Sequence, residues 1–310
     1  MKEREHERVI GSWGQGEPGP LLFFLGGIHG NEPAGVIALE RVFATLTQHK
    51  IPIKGKIIGL RGNCQALAAK KRYIDRDLNR LWSDPEIARV KALPPAERNV
   101  EEKELVELLR FFEAAFKSDY GPQIFVDLHT TSAPGGLFSI TTDDKANREL
   151  AEALRVPIIF NLVDELALTT NVYFKNRGIN GIAFESGQHD DPASIDIHEA
   201  AIWVLLVACQ ALQPEQIPDY AQYPARLKGA SESLDEFLWI AYRHPITPQD
   251  QFAMNPGYAN FQSIQKGELL GQDQGGEIRA SVEGKILMPL YQPQGEDGFF
   301  IMQPIDQPPI

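Results

Sequence analysis

Short apolar runs that alternate with helical segments are the feature that most constrains the fold of this chain. Runs of four to six residues, most of them rich in β-branched and aromatic side chains, are typical of buried strands, and they occupy residues 21–25, 56–60, 123–128 and 181–184. Strands that alternate with helices predict an α/β fold with a mixed, largely parallel sheet flanked by helices.

Three segments between or after these runs carry apolar residues at helical spacing, at residues 33–47, 101–116 and 193–212. Pro33 stands in the first turn of the first segment, where proline is well tolerated. The third segment is apolar nearly all round, so we expect it to be buried against the sheet.

The pattern changes after about residue 214. From Phe237 onward, short alternating segments are cut by glycine and proline, which predicts a small all-β module. We therefore expect an α/β domain over residues 1–225 and a C-terminal β module over residues 226–310.

Charge and cysteine content narrow the class of protein. A formal net charge of -12 argues against a nucleic-acid or anionic-membrane partner, because both need a basic surface. The chain has 2 cysteines and no CxxC pair, which fits a reducing compartment. Its N-terminal stretch is charged and shows no secretory signal, so we expect a cytoplasmic protein.

Histidine and glutamate follow three of the four apolar runs. His29 and Glu32 follow the first, His129 follows the third, and Glu185 follows the fourth. Ligands of open α/β sheets bind beyond the carboxyl ends of the strands. We therefore expect these four side chains to meet on one rim of the sheet.

Two imidazoles and one carboxylate can hold zinc with a position left open for water, so His29, Glu32 and His129 are the candidate ligands. Such a metal activates water, and Glu185 is the candidate general base that takes its proton. Each residue alone has a structural alternative, since HxxE occurs by chance, His129 could be a core histidine and Glu185 could be a cap or an ion-pair partner. Together they favour a zinc site.

The stretch RYIDRDLNRLW, residues 72–82, forms a second polar cluster with three arginines, two aspartates and an asparagine. Arginine pairs with carboxylates through two parallel hydrogen bonds, and asparagine adds a neutral one. Arg72, Asn79 and Arg80 could bind a substrate carboxylate and stabilise an oxyanion. The alternative for this stretch is a solvated loop with internal Asp–Arg pairs. Among the remaining histidines, His189 lies four residues after Glu185 and could support the site, but a solvated turn is the favoured interpretation. His198 is expected in the core or as a cap.

GGIHGNEPAG, RYIDRDLNR, FVDLHTT and IAFESG, in this order, resemble the aspartoacylase/succinylglutamate desuccinylase family of the zinc carboxypeptidase-like superfamily. The resemblance implies a zinc carboxypeptidase-like fold whose C-terminal β module caps the site. It also implies one zinc ion per chain, a general base, a carbonyl-polarising arginine and a pair that grips a substrate carboxylate. The resemblance assigns the zinc ligands to His29, Glu32 and His129, and the general base to Glu185. It assigns the carbonyl-polarising arginine to Arg72 and the carboxylate-binding pair to Asn79 and Arg80.

The activity that the resemblance implies is that of a zinc-dependent amidohydrolase, a deacylase that cleaves the amide bond of a small N-acyl amino acid. The chain departs from the family where better-known members keep an arginine about ten residues before the general base. Lys175 stands there, with Arg177 close by, and either is a candidate substrate contact.

Two other functions stay open. One is a zinc carboxypeptidase that acts on short peptides, and the other is a non-catalytic homologue that binds zinc or a small carboxylate. In each case the partner is a small carboxylate-bearing molecule, and a homo-oligomer is possible.

Overall fold

The computed structural model describes residues 8–14, 16–117, 119–142, 144–166 and 168–307. Residues 1–7, on which the absence of a secretory signal partly rests, lie outside this range. The strands are β1 Val9–Trp13, β2 Leu21–Gly26, β3 Lys56–Arg61, β4 Gln123–Thr131, β5 Leu137–Ile140, β6 Ile158–Phe160, β7 Asn180–Gln188, β8 Phe237–Pro245, β9 Ala253–Met254, β10 Ser263–Ile264, β11 Leu269–Asp273, β12 Gly276–Arg279, β13 Gly284–Leu287 and β14 Asp297–Pro304.

The α-helices are α1 Ala34–Gln48, α2 Cys64–Ala69, α3 Asp84–Ala92, α4 Val100–Phe116, α5 Lys145–Ala153, α6 Leu162–Glu165, α7 Thr170–Lys175, α8 Ala193–Ala208 and α9 Gln222–Ser231. Short 3-10 turns occupy Leu78–Arg80, Pro214–Gln216 and Pro248–Asp250. None of the helices in the described part of the chain is long and apolar enough to cross a bilayer.

One mixed sheet of 11 strands organises the molecule, in the order β1-β3-β2-β4-β7-β5-β6-β8-β14-β13-β10. Its core is parallel, because β2 pairs in parallel with both β3 and β4, and β4 pairs in parallel with β7. β1 and β5 run antiparallel to their neighbours β3 and β7. The predicted α/β class with a mixed, largely parallel sheet is confirmed.

Strand β2 shows why a continuous apolar run is needed here. All six of its residues are buried, as expected for a parallel strand with helices on both faces. Leu22 and Phe24 join a core with α1 and α8 on one face. Phe23 and Leu25 join a core with α4 on the other, since successive side chains alternate between faces.

The three predicted helices are α1, α4 and α8, each of which starts within one residue of its predicted position, and α8 ends earlier than predicted. A capping box fixes the start of α4, in which the Asn99 side chain accepts from the Glu102 amide at 2.9 Å and Glu102 accepts from the Asn99 amide at 2.9 Å. Helix α8 ends at Ala208, four residues short of the predicted 212. Gln210 has φ +59°, the left-handed conformation that commonly ends a helix.

The C-terminal segment is mainly β, as predicted, and its strands extend the main sheet. β8 pairs in parallel with β6, and β14, β13 and β10 follow in antiparallel order. The remaining strands form a small separate sheet in the order β12-β11-β9. The division into domains at residue 225 stays a prediction, and the main sheet crosses that point.

Candidate active site

The loop after β2 presents His29 and Glu32, and glycines determine its path. Gly27 has φ +70°, which favours glycine. A Cβ on Gly30 would lie 2.0 Å from the carbonyl carbon of Ala66 in α2, so only glycine allows the loop to pack there. The Gly30 amide also donates to the Arg72 carbonyl at 3.1 Å.

Strands β4 and β7 carry His129 and Glu185 within the strands, where the sequence predicted them just beyond the strand ends. The two residues are partners in the parallel pair, so their side chains share one face of the sheet. The register shifts between His129 and Thr131, and such irregularities redirect side chains near active sites. The backbone amide of Thr130 donates to Glu32 Oε2 at 3.0 Å.

His29, Glu32 and His129 form a buried group whose ligand atoms lie within 4.8 Å of one another. Glu32 stands between the two rings, with Oε1 2.8 Å from His29 Nδ1 and Oε2 3.1 Å from His129 Nδ1. Burial raises the pKa of Glu32, but the histidines outweigh it and hold the pKa well below its usual range. Two imidazole nitrogens and a carboxylate oxygen match the donor set of a catalytic zinc site. The sequence prediction that this group can hold a metal is confirmed.

The other ring nitrogen of each histidine faces a buried aspartate. His29 Nε2 lies 3.1 Å from Asp77 Oδ1, and His129 Nε2 lies 3.2 Å from Asp127 Oδ2. Metal-binding histidines usually donate their second N–H to such a partner, which fixes the tautomer and the ring orientation. Both Nδ1 atoms are thereby left free to bind a metal.

Sequence reasoning missed both aspartates as histidine partners. Asp127 precedes His129 by two residues in β4 and so lies on the same face of the strand, which was an available signal. Asp77 lies in the RYIDRDLNR stretch, where the sequence pattern predicts only a pair with arginine. It does pair with Arg72, at 3.0 Å.

Glu185 lines the cavity beside the metal-binding group. Its Oε2 atom is buried and has no hydrogen-bond partner among the described residues. Burial raises the pKa of Glu185 to about 8, with His129 opposing the shift and Glu32 adding to it. A bound cation favours the ionised form of a nearby carboxyl, so this group can take up a proton beside a metal.

Arg72 and Asn79 also line the cavity. Arg72 donates to Asp77 through Nε and Nη2 at 3.3 and 3.0 Å, and its Nη1 lies 3.6 Å from Glu32. Asn79 is buried, and its Oδ1 accepts from the Thr170 amide at 3.0 Å. Both side chains are therefore held in fixed orientations at the edge of the metal-binding group.

Arg80 lines the same cavity but faces carboxylates of the C-terminal segment. Its Nε lies 3.2 Å from Glu296 Oε2, and its Nη2 lies 3.6 Å from Asp297 Oδ2. Asp297 also accepts from Arg243 Nε at 2.6 Å.

Lys175 and Arg177 do not lie among the residues that line the cavity. Lys175 pairs with Asp164 at 3.0 Å. Arg177 pairs with Asp84 at 2.7 Å, and its guanidinium lies 3.7 Å above the ring centroid of Tyr173. Their placement gives no support to the sequence prediction that one of them contacts substrate.

The cavity has a volume of about 120 Å³. One water molecule needs roughly 10–15 Å³ of such volume. The size of the cavity suits a small molecule. His189, expected in a solvated turn, lines this cavity instead, with Nδ1 2.7 Å from Thr130 Oγ1 and Nε2 3.2 Å from Gln292 Oε1. Gln292 belongs to the C-terminal segment, so that segment closes one side of the site.

The chain is similar to a known protein family. The model of the succinylglutamate desuccinylase/aspartoacylase catalytic domain matches residues 18–205. This range contains the metal-binding group and Glu185.

Succinylglutamate desuccinylase of Yersinia pestis (strain Pestoides F) is 30% identical over 105 residues, which are 34% of this chain and 30% of that protein. The chain therefore spans less than a third of the length of this curated relative. Among solved structures, a succinylglutamate desuccinylase/aspartoacylase from Rhodobacter sphaeroides has a TM-score of 0.65 at 17% identity, covering 94% of this chain and 87% of its own. Murine aminoacylase 3 has a TM-score of 0.59 at 17% identity, covering 93% and 96%. The structural likenesses show a shared fold.

Proposed function

Because the chain belongs to the succinylglutamate desuccinylase/aspartoacylase catalytic-domain family, we propose that it is a zinc-dependent hydrolase that cleaves the amide bond of a small N-acyl amino acid. The observation that carries the proposal is the buried His29–Glu32–His129 group with Glu185 beside it. The named relatives, a succinylglutamate desuccinylase and an aminoacylase, support the same class of reaction.

The zinc ion would be held by the Nδ1 atoms of His29 and His129 and by the carboxylate of Glu32. When bound, zinc polarises a carbonyl and lowers the pKa of water toward ~7. Asp77 and Asp127 hold the two rings in the tautomer that leaves Nδ1 unprotonated.

Glu185 takes a proton from the water that attacks the amide carbon and gives a proton to the departing nitrogen. The new C–O bond and the broken C–N bond leave a carboxylic acid and an amino acid. A positioned group of this kind contributes about 10²–10⁴-fold to the rate. The unpaired, buried oxygen of Glu185 makes it the group in the cavity that is free to do this.

Arg72 supports the negative charge that develops on the carbonyl oxygen, since preorganised donors at that position stabilise the transition state. Its attachment to Asp77 fixes the guanidinium before the substrate arrives. Asn79 and Arg80 are the candidate pair for the substrate carboxylate, and both line the cavity.

The setting that we propose is the cytoplasm, without a nucleic-acid or membrane partner. Both cysteines, Cys64 and Cys209, are free thiols, which accords with a reducing compartment. Burial raises the pKa of Cys64 to about 11 and that of Cys209 to about 12. Neither thiol is therefore activated as a nucleophile.

The test is a comparison of wild type, Glu185→Gln and Glu283→Gln on a panel of N-acyl amino acids and short peptides. Glu283 is an exposed acidic residue outside the cavity and serves as the matched control. We expect Glu185→Gln to keep one zinc per chain and to lose about 10²–10⁴-fold in kcat. Wild-type activity in Glu185→Gln contradicts the assignment of the base.

Two further outcomes separate the alternatives. Faster cleavage of peptides than of N-acyl amino acids would make the protein a carboxypeptidase. Full zinc occupancy without turnover of any compound would make it a binding protein and overturn the proposed activity.

A further inference from the structure

The side chains that line the cavity change from polar to apolar across the sheet. His129 lies on β4 and Glu185 on the neighbouring β7, and both line the cavity. Ala183 precedes Glu185 by two residues on the same face of β7, and Ile140 of β5 is its cross-strand partner. The lining therefore passes from imidazole and carboxylate to apolar side chains across three neighbouring strands, β4, β7 and β5.

The aliphatic region, which we call the apolar wall, continues beyond β5. It consists of Ile140, Leu162, Val163, Ala183, Met288 and Phe300. These residues belong to, or pack against, the hydrophobic cluster that joins β5–β7 to the C-terminal segment. A binding surface of this kind favours an apolar group, because apolar area that leaves water on binding stabilises the complex.

Among the described residues, the cavity lining holds no arginine or lysine beyond the two that already have a proposed role. Among the described residues, the cations that line it are Arg72 and Arg80. Arg72 faces Asp77 and Glu32 and is assigned to the developing oxyanion. Arg80 faces Glu296 and Asp297 and is assigned, with Asn79, to the one substrate carboxylate.

Four carboxylates line the cavity, those of Glu32, Glu185, Glu296 and Asp297. The two guanidinium groups and a divalent cation together balance them. A second carboxylate on the substrate would therefore enter a site whose positive charges are already matched, and it would lose its hydration there without a new partner.

We propose that the substrate of this site carries a single carboxylate and an apolar arm, and that the arm lies against the apolar wall. This inference rests on the proposed function and narrows its substrate class. The arm is either the acyl chain or the side chain of the amino acid. Dicarboxylic N-acyl amino acids are disfavoured by the pairing of Arg80 with Glu296 and Asp297.

The first test compares kcat/KM for N-acetylglycine, N-hexanoylglycine, N-acetyl-L-leucine, N-acetyl-L-aspartate and N-succinyl-L-glutamate on the zinc-loaded enzyme. Each buried methylene contributes roughly fourfold, so we expect N-hexanoylglycine or N-acetyl-L-leucine to exceed N-acetylglycine about tenfold or more. An advantage of N-hexanoylglycine places the arm on the acyl side, and an advantage of N-acetyl-L-leucine places it on the amino-acid side. Dicarboxylates that match or exceed the apolar substrates overturn the inference.

Two variants test the two parts of the argument. Glu296→Gln removes one partner of Arg80, so the ratio of dicarboxylate turnover to apolar-substrate turnover should rise severalfold. Glu283→Gln changes a residue in the same segment but outside the cavity, so it should leave this ratio as in wild type.

Ala183→Val adds bulk to the apolar wall, so N-hexanoylglycine or N-acetyl-L-leucine should lose its advantage over N-acetylglycine. Unchanged ratios in both variants contradict the assignment.

A binding measurement separates this inference from the proposed activity. Calorimetric titration of zinc-loaded Glu185→Gln with N-hexanoylglycine, N-acetyl-L-leucine and N-acetyl-L-aspartate reports affinity without turnover. Tighter binding of either apolar compound supports the inference even if no compound is hydrolysed. Tighter binding of the aspartate derivative overturns it even if hydrolysis is found.

Discussion

Asp77 and Asp127 face the Nε2 atoms of the two histidines whose Nδ1 atoms flank Glu32. Replacing either carboxylate by an amide keeps the shape and removes the charge that makes the ring a better ligand. We expect Asp77→Asn and Asp127→Asn each to weaken zinc binding about 10–100-fold. Competition with a chromophoric chelator measures the affinity.

Asp164→Asn is the matched control, because Asp164 is an exposed aspartate that pairs with Lys175. Its zinc affinity should equal that of wild type. Wild-type affinity in both Asp77→Asn and Asp127→Asn would show that these carboxylates do not support the ligands.

A second prediction concerns His198, which is fully buried with Nδ1 2.9 Å from Ser186 Oγ. Burial lowers the pKa of His198 to about 3, against about 6.5 in an unfolded chain. Between these values the unfolded state binds the extra proton, so His198 makes the free energy of unfolding fall as the pH falls from about 6.5 toward 3. One extra proton bound by the unfolded state lowers the free energy of unfolding by about 1.4 kcal/mol for each pH unit of that fall.

Urea unfolding of wild type and His198→Gln at pH 7 and at pH 5 checks this. The free energy of unfolding should drop more for wild type than for the variant between these two values. An equal drop in both proteins would mean that His198 does not contribute to acid sensitivity.

At the level of single residues, the sequence predicts the members of the metal-binding group better than the two aspartates that face its histidines. His29, Glu32 and His129 follow apolar runs, and parallel strands bring such positions to one edge. Asp77 and Asp127 support the histidines only because they face the Nε2 atoms of the rings. The spacing of residues along the sequence does not determine how a ring is oriented. The exclusion of Lys175 and Arg177 from the cavity lining likewise depends on local partners, Asp164 and Asp84.

At the level of elements, the loop after β2 depends on Gly30. A Cβ there would lie 2.0 Å from the Ala66 carbonyl carbon and 2.2 Å from its oxygen, and backbone atoms cannot yield as a side chain can. We expect Gly30→Ala to displace the loop that carries His29 and Glu32, to lose zinc binding, and to cost the fold of order 1–3 kcal/mol. Zinc content and thermal unfolding measure the two effects.

Gly229→Ala is the matched control, since Gly229 lies in helix α9 and a Cβ there meets nothing within 4 Å. Alanine in a helix is more stable than glycine by about 0.5–1 kcal/mol, so this variant should keep its zinc and unfold at a slightly higher temperature. Full zinc content in Gly30→Ala would refute the role given to the loop.

The sequence predicts the positions of helices α1, α4 and α8 and of strands β2, β3, β4 and β7, and it places the ends of β4 and β7 too early. The apolar run of the third strand stops at 128, while β4 continues to Thr131. His129, Thr130 and Thr131 are polar because they face the site, so the hydrophobic pattern ends although the backbone hydrogen bonding continues. β7 passes Glu185 for the same reason.

At the level of the whole molecule, the main sheet and the hydrophobic cluster beneath the apolar wall both cross from the α/β part into the C-terminal segment. Asn260 adds a buried link, with Nδ2 donating to Thr131 Oγ1 at 3.0 Å. We expect the protein to unfold in one cooperative transition, with a calorimetric enthalpy equal to the van't Hoff enthalpy. Two resolved transitions in a calorimetric scan would contradict this.

The sequence indicates a change of pattern after residue 214 but cannot show that β8 hydrogen-bonds to β6. Strand pairing joins residues that are far apart along the chain, here Ile159 and Leu238, and no local pattern encodes it. The apolar wall cannot be predicted for the same reason, because Ile140, Leu162 and Phe300 meet only in the folded protein.

Along the chain, the residues that close the cavity from the C-terminal side lie apart from the proposed catalytic residues. The match to the family ends at residue 205, after the metal ligands and Glu185, whereas Met288, Glu296 and Phe300 come from the part of the chain beyond it. In the proposed hydrolase, selection can therefore alter substrate preference by changing the C-terminal segment while Glu185 and the metal-binding group stay unchanged. Substrate range and bond-breaking chemistry are in this way open to separate evolutionary change.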